Sequence, residues 1–151
     1  LNSLLPSIIS RWDPRLRRLN IKSYYETLIE HPIVIGDFRA LEQVFVNLIS
    51  NAVQAMDKTG GSLSIKIQVP EIQSDPNDYE IIVADSGPGI PDDIREHIFE
   101  PFMTTNQNGT GLGLAISKRI ISAHKGNIFV ESFPGGTMFH VLLPKSKGED
   151  K

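Results

Sequence analysis

A chain of 151 residues, 40% hydrophobic and 22% charged, has the size and make-up of one globular domain and not of a disordered or fibrous chain. Its net charge of −3 gives no overall footprint for nucleic acid, and the absence of cysteine excludes disulfides, thiol catalysis and cysteine-ligated metals. No apolar run approaches the ~18 residues of a membrane span and no signal-peptide layout opens the chain; Leu1 is not a natural start, so a piece of a longer protein is expected.

Leu1, Leu4, Leu5, Ile8, Ile9 and Trp12 recur at helical spacing, which predicts a helix over 1–12 broken by Asp13-Pro14. Arg11, Arg15, Arg17 and Arg18 form a basic cluster, read as a solvated face. Ile21 to Leu28 reads as a strand, and Ile33-Val34-Ile35 as a short extended run closed by Gly36. Asp37 is a good N-cap for a helix to Met56, with Leu41, Val44, Phe45, Leu48, Ala52 and Ala55 on its apolar face.

Leu63, Ile65, Ile67 and Val69 alternate with polar residues as in a half-buried strand. Pro70 to Asp78 is a polar loop, and Ile81 to Ala84 a continuous apolar strand expected at the centre of a sheet. A short helix is expected over Asp92 to Phe99, a non-periodic loop over Glu100 to Asn108, and a helix over Leu114 to Ala123 closed by Gly126 as its C′ residue. Two last strands, Asn127 to Glu131 and Thr137 to Leu143, are joined through Pro134-Gly135-Gly136. The expected fold is an α/β (α+β) two-layer sandwich: a mixed, mostly antiparallel sheet of about five strands with three helices on one face. The domain is expected over 1–144, with 145–151 a charged tail.

Four stretches carry chemistry. Gly109, Gly111 and Gly113 stand at alternate positions just before the last helix, where free N–H groups and a positive dipole end suit a phosphate. Such triplets also occur in turns with no ligand. Gln43, Asn47, Asn51 and Gln54 fall within one ~80° sector of their helix. A stripe of amides there is either an exposed polar face or a surface for a nucleotide and Mg²⁺, which takes oxygen ligands. Asp85 closes an apolar strand ahead of Gly87 and Gly89; it is an Asx turn or an acceptor for an exocyclic base amine. Phe99 and Phe102 lie in an otherwise polar loop, as core anchors or as part of a lid over about Pro91 to Asn108.

In chain order the four resemble the boxes of the catalytic ATP-binding domain of sensor histidine kinases, members of the gyrase-like (GHKL) superfamily. Asn47 to Met56 is similar to the N box, Asp85 to Gly89 to the G1 box, Phe99 to Phe102 to the F box and Gly109 to Leu114 to the G2 box, while Gly135-Gly136-Thr137 resembles a terminal glycine box. The wording Asn-Ala-Val-Gln-Ala-Met over 51–56 is similar to the nitrogen-regulator class.

The resemblance implies the Bergerat fold and binding of ATP and Mg²⁺. It implies that Asn51 is the Mg²⁺ ligand, with Asn47 supporting the metal and phosphates, and it includes Gln54 in the ATP site although many relatives carry Lys or Arg there. It assigns the adenine amine to Asp85, the base pocket to Gly87, Gly89 and Ile90, and a place near the base to Thr137. The lid residues Phe99, Thr104 and Thr105, and Gly109, Thr110, Gly111, Leu112, Gly113 and Leu114, complete the implied ATP site. The implied activity is transfer of the ATP γ-phosphate to a histidine on a separate dimerisation and phosphoacceptor domain, upstream of a response regulator. The alternatives are a nucleotide-binding module without transfer, or an ATPase of the same superfamily.

Three departures qualify the resemblance. Hydrolysing relatives carry a Glu where Asn47 stands, and an amide cannot act as a general base. No Lys or Arg follows Thr104-Thr105; only Lys58, Arg95 and Lys118 are near in sequence, so the cation for the γ-phosphate is not identified. None of His31, His97, His124 and His140 lies in an acceptor motif, and His124, in a last helical turn, stands where a cation is favoured. The expectation is an excised catalytic domain, cytoplasmic and monomeric by itself, with the membrane attachment of its parent left open.

Overall fold

The apolar run Ile81–Ala84 takes the middle place in the sheet, with Ile81 and Val83 buried and Ile82 and Ala84 half-buried. The computed structural model describes residues 1–70, 77–103 and 112–146. Its elements are α1 (Leu4–Arg18), β1 (Ile21–Thr27), α2 (Phe38–Met56), β2 (Gly61–Gln68), β3 (Asp78–Asp85), α3 (Asp92–Arg95), α4 (Gly113–Ala123), β4 (Asn127–Phe133) and β5 (Gly136–Pro144). The five strands lie in the order β1-β2-β3-β5-β4. β1 runs parallel to β2, and α2 makes the crossover between them; every other pair is antiparallel.

The register decides which side chains face the helices. Leu63, Ile65 and Ile67 pair with Asp85, Val83 and Ile81, which pair with Thr137, Phe139 and Val141. Paired residues share a face. The buried members of this set, with Leu5, Ile8, Phe45, Leu48, Ile49 and Ile121 from the helices, form one core. So α1, α2 and α4 cover one face, the expected two-layer sandwich. On the other face Glu80 accepts from Gln68 Nε2 at 2.9 Å and meets His140 Nδ1 at 2.7 Å. The His140 ring stacks on Phe129 at 4.6 Å.

Four local expectations need correction. α1 does not stop at Asp13-Pro14 but runs through Pro14 to Arg18. Leu16 is buried beside Ile8 on the core side, and Arg17 pairs with Asp13 at 2.9 Å, so packing and pairing hold the helix across a residue that lacks an N–H. Ile33-Val34-Ile35 forms no strand; Ile33 and Ile35 are exposed, and Ile33 O accepts from Ser146 N. Ala55 is exposed, and the core side of α2 is completed by Ile49, Val53 and Met56. α3 is a single turn ending at Arg95.

The end of α4 also differs. Lys125, not Gly126, takes the left-handed conformation at C′, with φ +61°. Lys125 N bonds Ser122 O at 3.0 Å and Gly126 N bonds Ile121 O at 2.9 Å, the two bonds of a Schellman motif. Gly126 is needed for space instead, because a Cβ there would overlap the Leu142 carbonyl oxygen. Lys125→Gly should therefore stabilise the domain by about 1 kcal/mol, a rise of about 3 °C in Tm. Gly126→Ala should destabilise it by about 2 kcal/mol or more. Thermal melts of the two variants check the assignment, and the reverse ranking would contradict it.

Candidate functional site

Asp85 is the last residue of β3, and its register partner on β5 is Thr137, itself buried. Alternation puts the Asp85 side chain on the same face as Val83 and Ile81, toward the helices. Burial there pushes its carboxyl above the ordinary value of 3.8, and the bond from Gly87 N to Oδ1 at 2.9 Å opposes that shift. Asp85 thus closes the expected Asx turn, and its carboxyl is partly dehydrated.

The turn that follows is fixed on both sides. A Cβ on Gly87 would lie 3.1 Å from Ala55 Cβ and 3.0 Å from Asp85 Oδ1. Gly89 has φ +85°, and a Cβ there would overlap the Phe133 carbonyl oxygen. Ile90 N donates to Ser132 Oγ at 2.6 Å, which ties the turn to the β4–β5 hairpin.

α2 carries the amide stripe past this turn. Ala55 packs against Gly87. Asn51, one turn earlier, is half-buried, and Asn47, a further turn back, reaches α4. Asn47 Nδ2 donates to Gly113 O at 3.2 Å and to Ser117 Oγ at 3.3 Å. One face of α2 therefore runs from the Asp85 turn to the start of α4 with Asn51 between, a span of about 12 Å. Gln43 and Gln54, at either end of the stripe, are exposed. α4 begins at Gly113, with Leu112 as an N-cap whose side chain makes no capping bond. Leu114 packs against the core. Thr104, Thr105, Gly109, Thr110 and Gly111 lie outside the described residues.

The two phenylalanines of the loop separate. Phe99 packs edge-on to Phe139, with ring centroids 6.3 Å apart, and Lys118 Nζ stands 5.5 Å from its centroid. Phe102 is 75% exposed, with φ +68°. Arg95 is engaged with Asp92 at 3.5 Å and with Ser132 O at 3.4 Å.

The histidines serve local bonds. His97 is exposed beside Glu100, whose hydrogen bond and charge raise its pKa. His124 accepts from Asp37 N at 3.0 Å through Nε2, and its Nδ1–H donates to Ile120 O at 2.7 Å. The ring therefore joins the end of α4 to the start of α2.

Two residues escaped sequence reading, Ser117 and Ser132. A serine inside the apolar run of α4 was the available signal for Ser117, because a polar side chain there must find a partner. Ser132, on an edge strand, carried no such signal.

Residues 36–147 match the family described as histidine kinase-, DNA gyrase B- and HSP90-like ATPases. The chain is 42% identical over 125 residues to a sensory histidine kinase/phosphatase NtrB of Rhodobacter capsulatus, covering 78% of this chain and 35% of that protein. It is 40% identical over 131 residues to sporulation kinase A of Bacillus subtilis, covering 86% of this chain and 20% of that one. The chain thus spans about a third or less of the length of these relatives. Among solved structures, the catalytic domain of the histidine kinase ThkA superposes with a TM-score of 0.83 at 33% identity, over 96% of this chain and 92% of that one. Full-length ShkA in complex with AMPPNP gives 0.81 at 30% identity, over 95% of this chain and 29% of that one. The chain belongs to the histidine kinase-, gyrase B- and HSP90-like ATPase family, and within it to the catalytic domains of histidine kinases.

Proposed function

We propose that this domain binds ATP·Mg²⁺ and donates the γ-phosphate to a histidine of a separate dimeric helical domain. The observation that carries this reading is Asp85, a carboxylate dehydrated at the end of a central strand, opposite buried Thr137 and ahead of a turn shaped by Gly87 and Gly89. An acceptor in that setting suits the exocyclic amine of adenine and would repel the carbonyl of guanine. The triphosphate would then lie along α2 toward the N-terminus of α4, where backbone N–H groups favour an anion.

Among the described residues no three His, Asp or Glu side chains are grouped so as to hold a metal. Mg²⁺ would rest on the amide oxygen of Asn51 and otherwise on phosphate and water oxygens, which suits an ion that keeps several waters. The metal would offset charge on the phosphates. Transfer forms a bond between phosphorus and an imidazole nitrogen as the bond to the ADP oxygen breaks. With an amide at Asn47, no group one turn before Asn51 can take a proton from water, so hydrolysis without the acceptor should be slow. ThkA has been solved in complex with the response regulator protein TrrA; a regulator of that kind is the expected second partner. No helix of the described residues is long and apolar enough to cross a membrane; a cytoplasmic place for this domain belongs to the proposed role.

Labelled ATP·Mg²⁺ mixed with the domain and a dimeric hairpin bearing the acceptor histidine tests the reading. Acid-labile label on the hairpin is the expected result, and Asn51→Asp should abolish it. Free phosphate without the hairpin would favour an ATPase, and nucleotide binding with neither product a non-transferring module.

Asp85→Asn should have opposite effects on the free and loaded protein. ATP affinity should fall about 10- to 100-fold, the loss of one hydrogen bond to a charged group. The ligand-free domain should gain stability at pH 7. A carboxyl raised by burial contributes stability that is present below its ordinary 3.8 and is lost as pH rises through its folded value. The advantage of the variant should therefore vanish near pH 3. Calorimetric titration and melts at the two pH values check both halves; unchanged ATP affinity would sink the adenine assignment.

A further inference from the structure

Asn47 meets α4 through two acceptors. Gly113 O can only accept. Ser117 Oγ carries one proton and donates it to Gly113 O at 2.8 Å, so it too offers only lone pairs toward α2. Asn47 approaches them at 3.2 and 3.3 Å. An amide oxygen turned this way would face two oxygens, whereas an amide N–H turned this way donates between both. Ser117 is fully buried, and its hydroxyl is bonded to protein groups on both sides.

We propose that Ser117 is a positioning residue. Its hydroxyl, held by Gly113, turns the Asn47 carboxamide so that nitrogen faces α4 and oxygen faces the side on which metal-bound phosphates would lie. This role rests on the ATP·Mg²⁺ reading above. The same geometry bears on specificity. Gly113 O would repel a carboxylate at position 47, so the α4 side of the joint suits an amide and not the Glu of hydrolysing relatives. An environment on α4 thus helps to determine which chemistry the residue on α2 can perform.

The test compares ATP affinity of the wild type, Ser117→Ala and Ser117→Thr, with Mg²⁺ and with a chelator. Ser117→Ala should weaken binding in Mg²⁺ about 5-fold, the order of one hydrogen bond, with affinity in chelator unchanged. Ser117→Thr keeps the hydroxyl and should retain the Mg²⁺-dependent gain even if its melting temperature drops. A purely structural role would lower affinity equally in both conditions; that result, or no loss in either, would overturn the proposal. The Asn47 side-chain amide signals in NMR, recorded without nucleotide, should move in Ser117→Ala and stay in Ser117→Thr. Signals indifferent to Ser117→Ala would also overturn it. Failure of the wild type to bind ATP is a separate result, which removes the ATP reading while these amide signals still decide the orientation.

Discussion

The antiparallel pairing of β3 with β5 is the interaction on which the rest of the structure depends. It joins the β1–β2 side of the sheet to the β4 side, and it places Asp85 directly opposite Thr137. The pairing continues back through Val83 with Phe139 and Ile81 with Val141, all buried. A carboxylate at the end of such a ladder loses water on the side facing the helices, and a glycine turn then brings backbone to it in place of side chains. The dehydration is unfavourable for the free protein. It is the kind of local cost that recurs at binding sites, where a ligand's donor can offset it.

α2 and α4 supply the second wall, and they are tied at both ends. Near the start of α2, Asp37 N bonds His124 at the end of α4; ten residues on, Asn47 bonds Gly113 and Ser117 at the beginning of α4. The two helices therefore run antiparallel, with the first turn of α4 beside the middle of α2. Asn51, one turn beyond that contact, lies between the α4 N-terminus and the place where Ala55 touches Gly87. The amide stripe is thus a partly covered seam and not a solvated face over its central part, whereas Gln43 and Gln54 at its ends are exposed.

Sequence patterning was most informative where one force acted alone. The continuous apolar run of β3, the period-two alternation of β2 and the Asp37 cap each had a single physical cause, and each was readable. It failed where tertiary contacts outweighed a local preference. Pro14 breaks helices in isolation, but Leu16 needed to reach the core. Gly126 carried the usual composition of a helix stop, yet space against Leu142 required the glycine, and Lys125 took the strained conformation. The position of Asp85 at a strand end was legible, and its dehydration was not, because that depends on Thr137 and on helices distant in sequence. Asn47 was singled out for its place in a stripe. Its partner Ser117 emerged only once α4 was docked.

The proposed function depends on where adenine and the metal lie. A crystal structure of the domain with a non-hydrolysable ATP analogue and Mg²⁺ tests that most directly. The prediction is the adenine amine at about 2.9 Å from a carboxylate oxygen of Asp85 and Mg²⁺ at about 2.1 Å from the amide oxygen of Asn51. Adenine bound away from the β3–β5 end, or a metal held without Asn51, would contradict it.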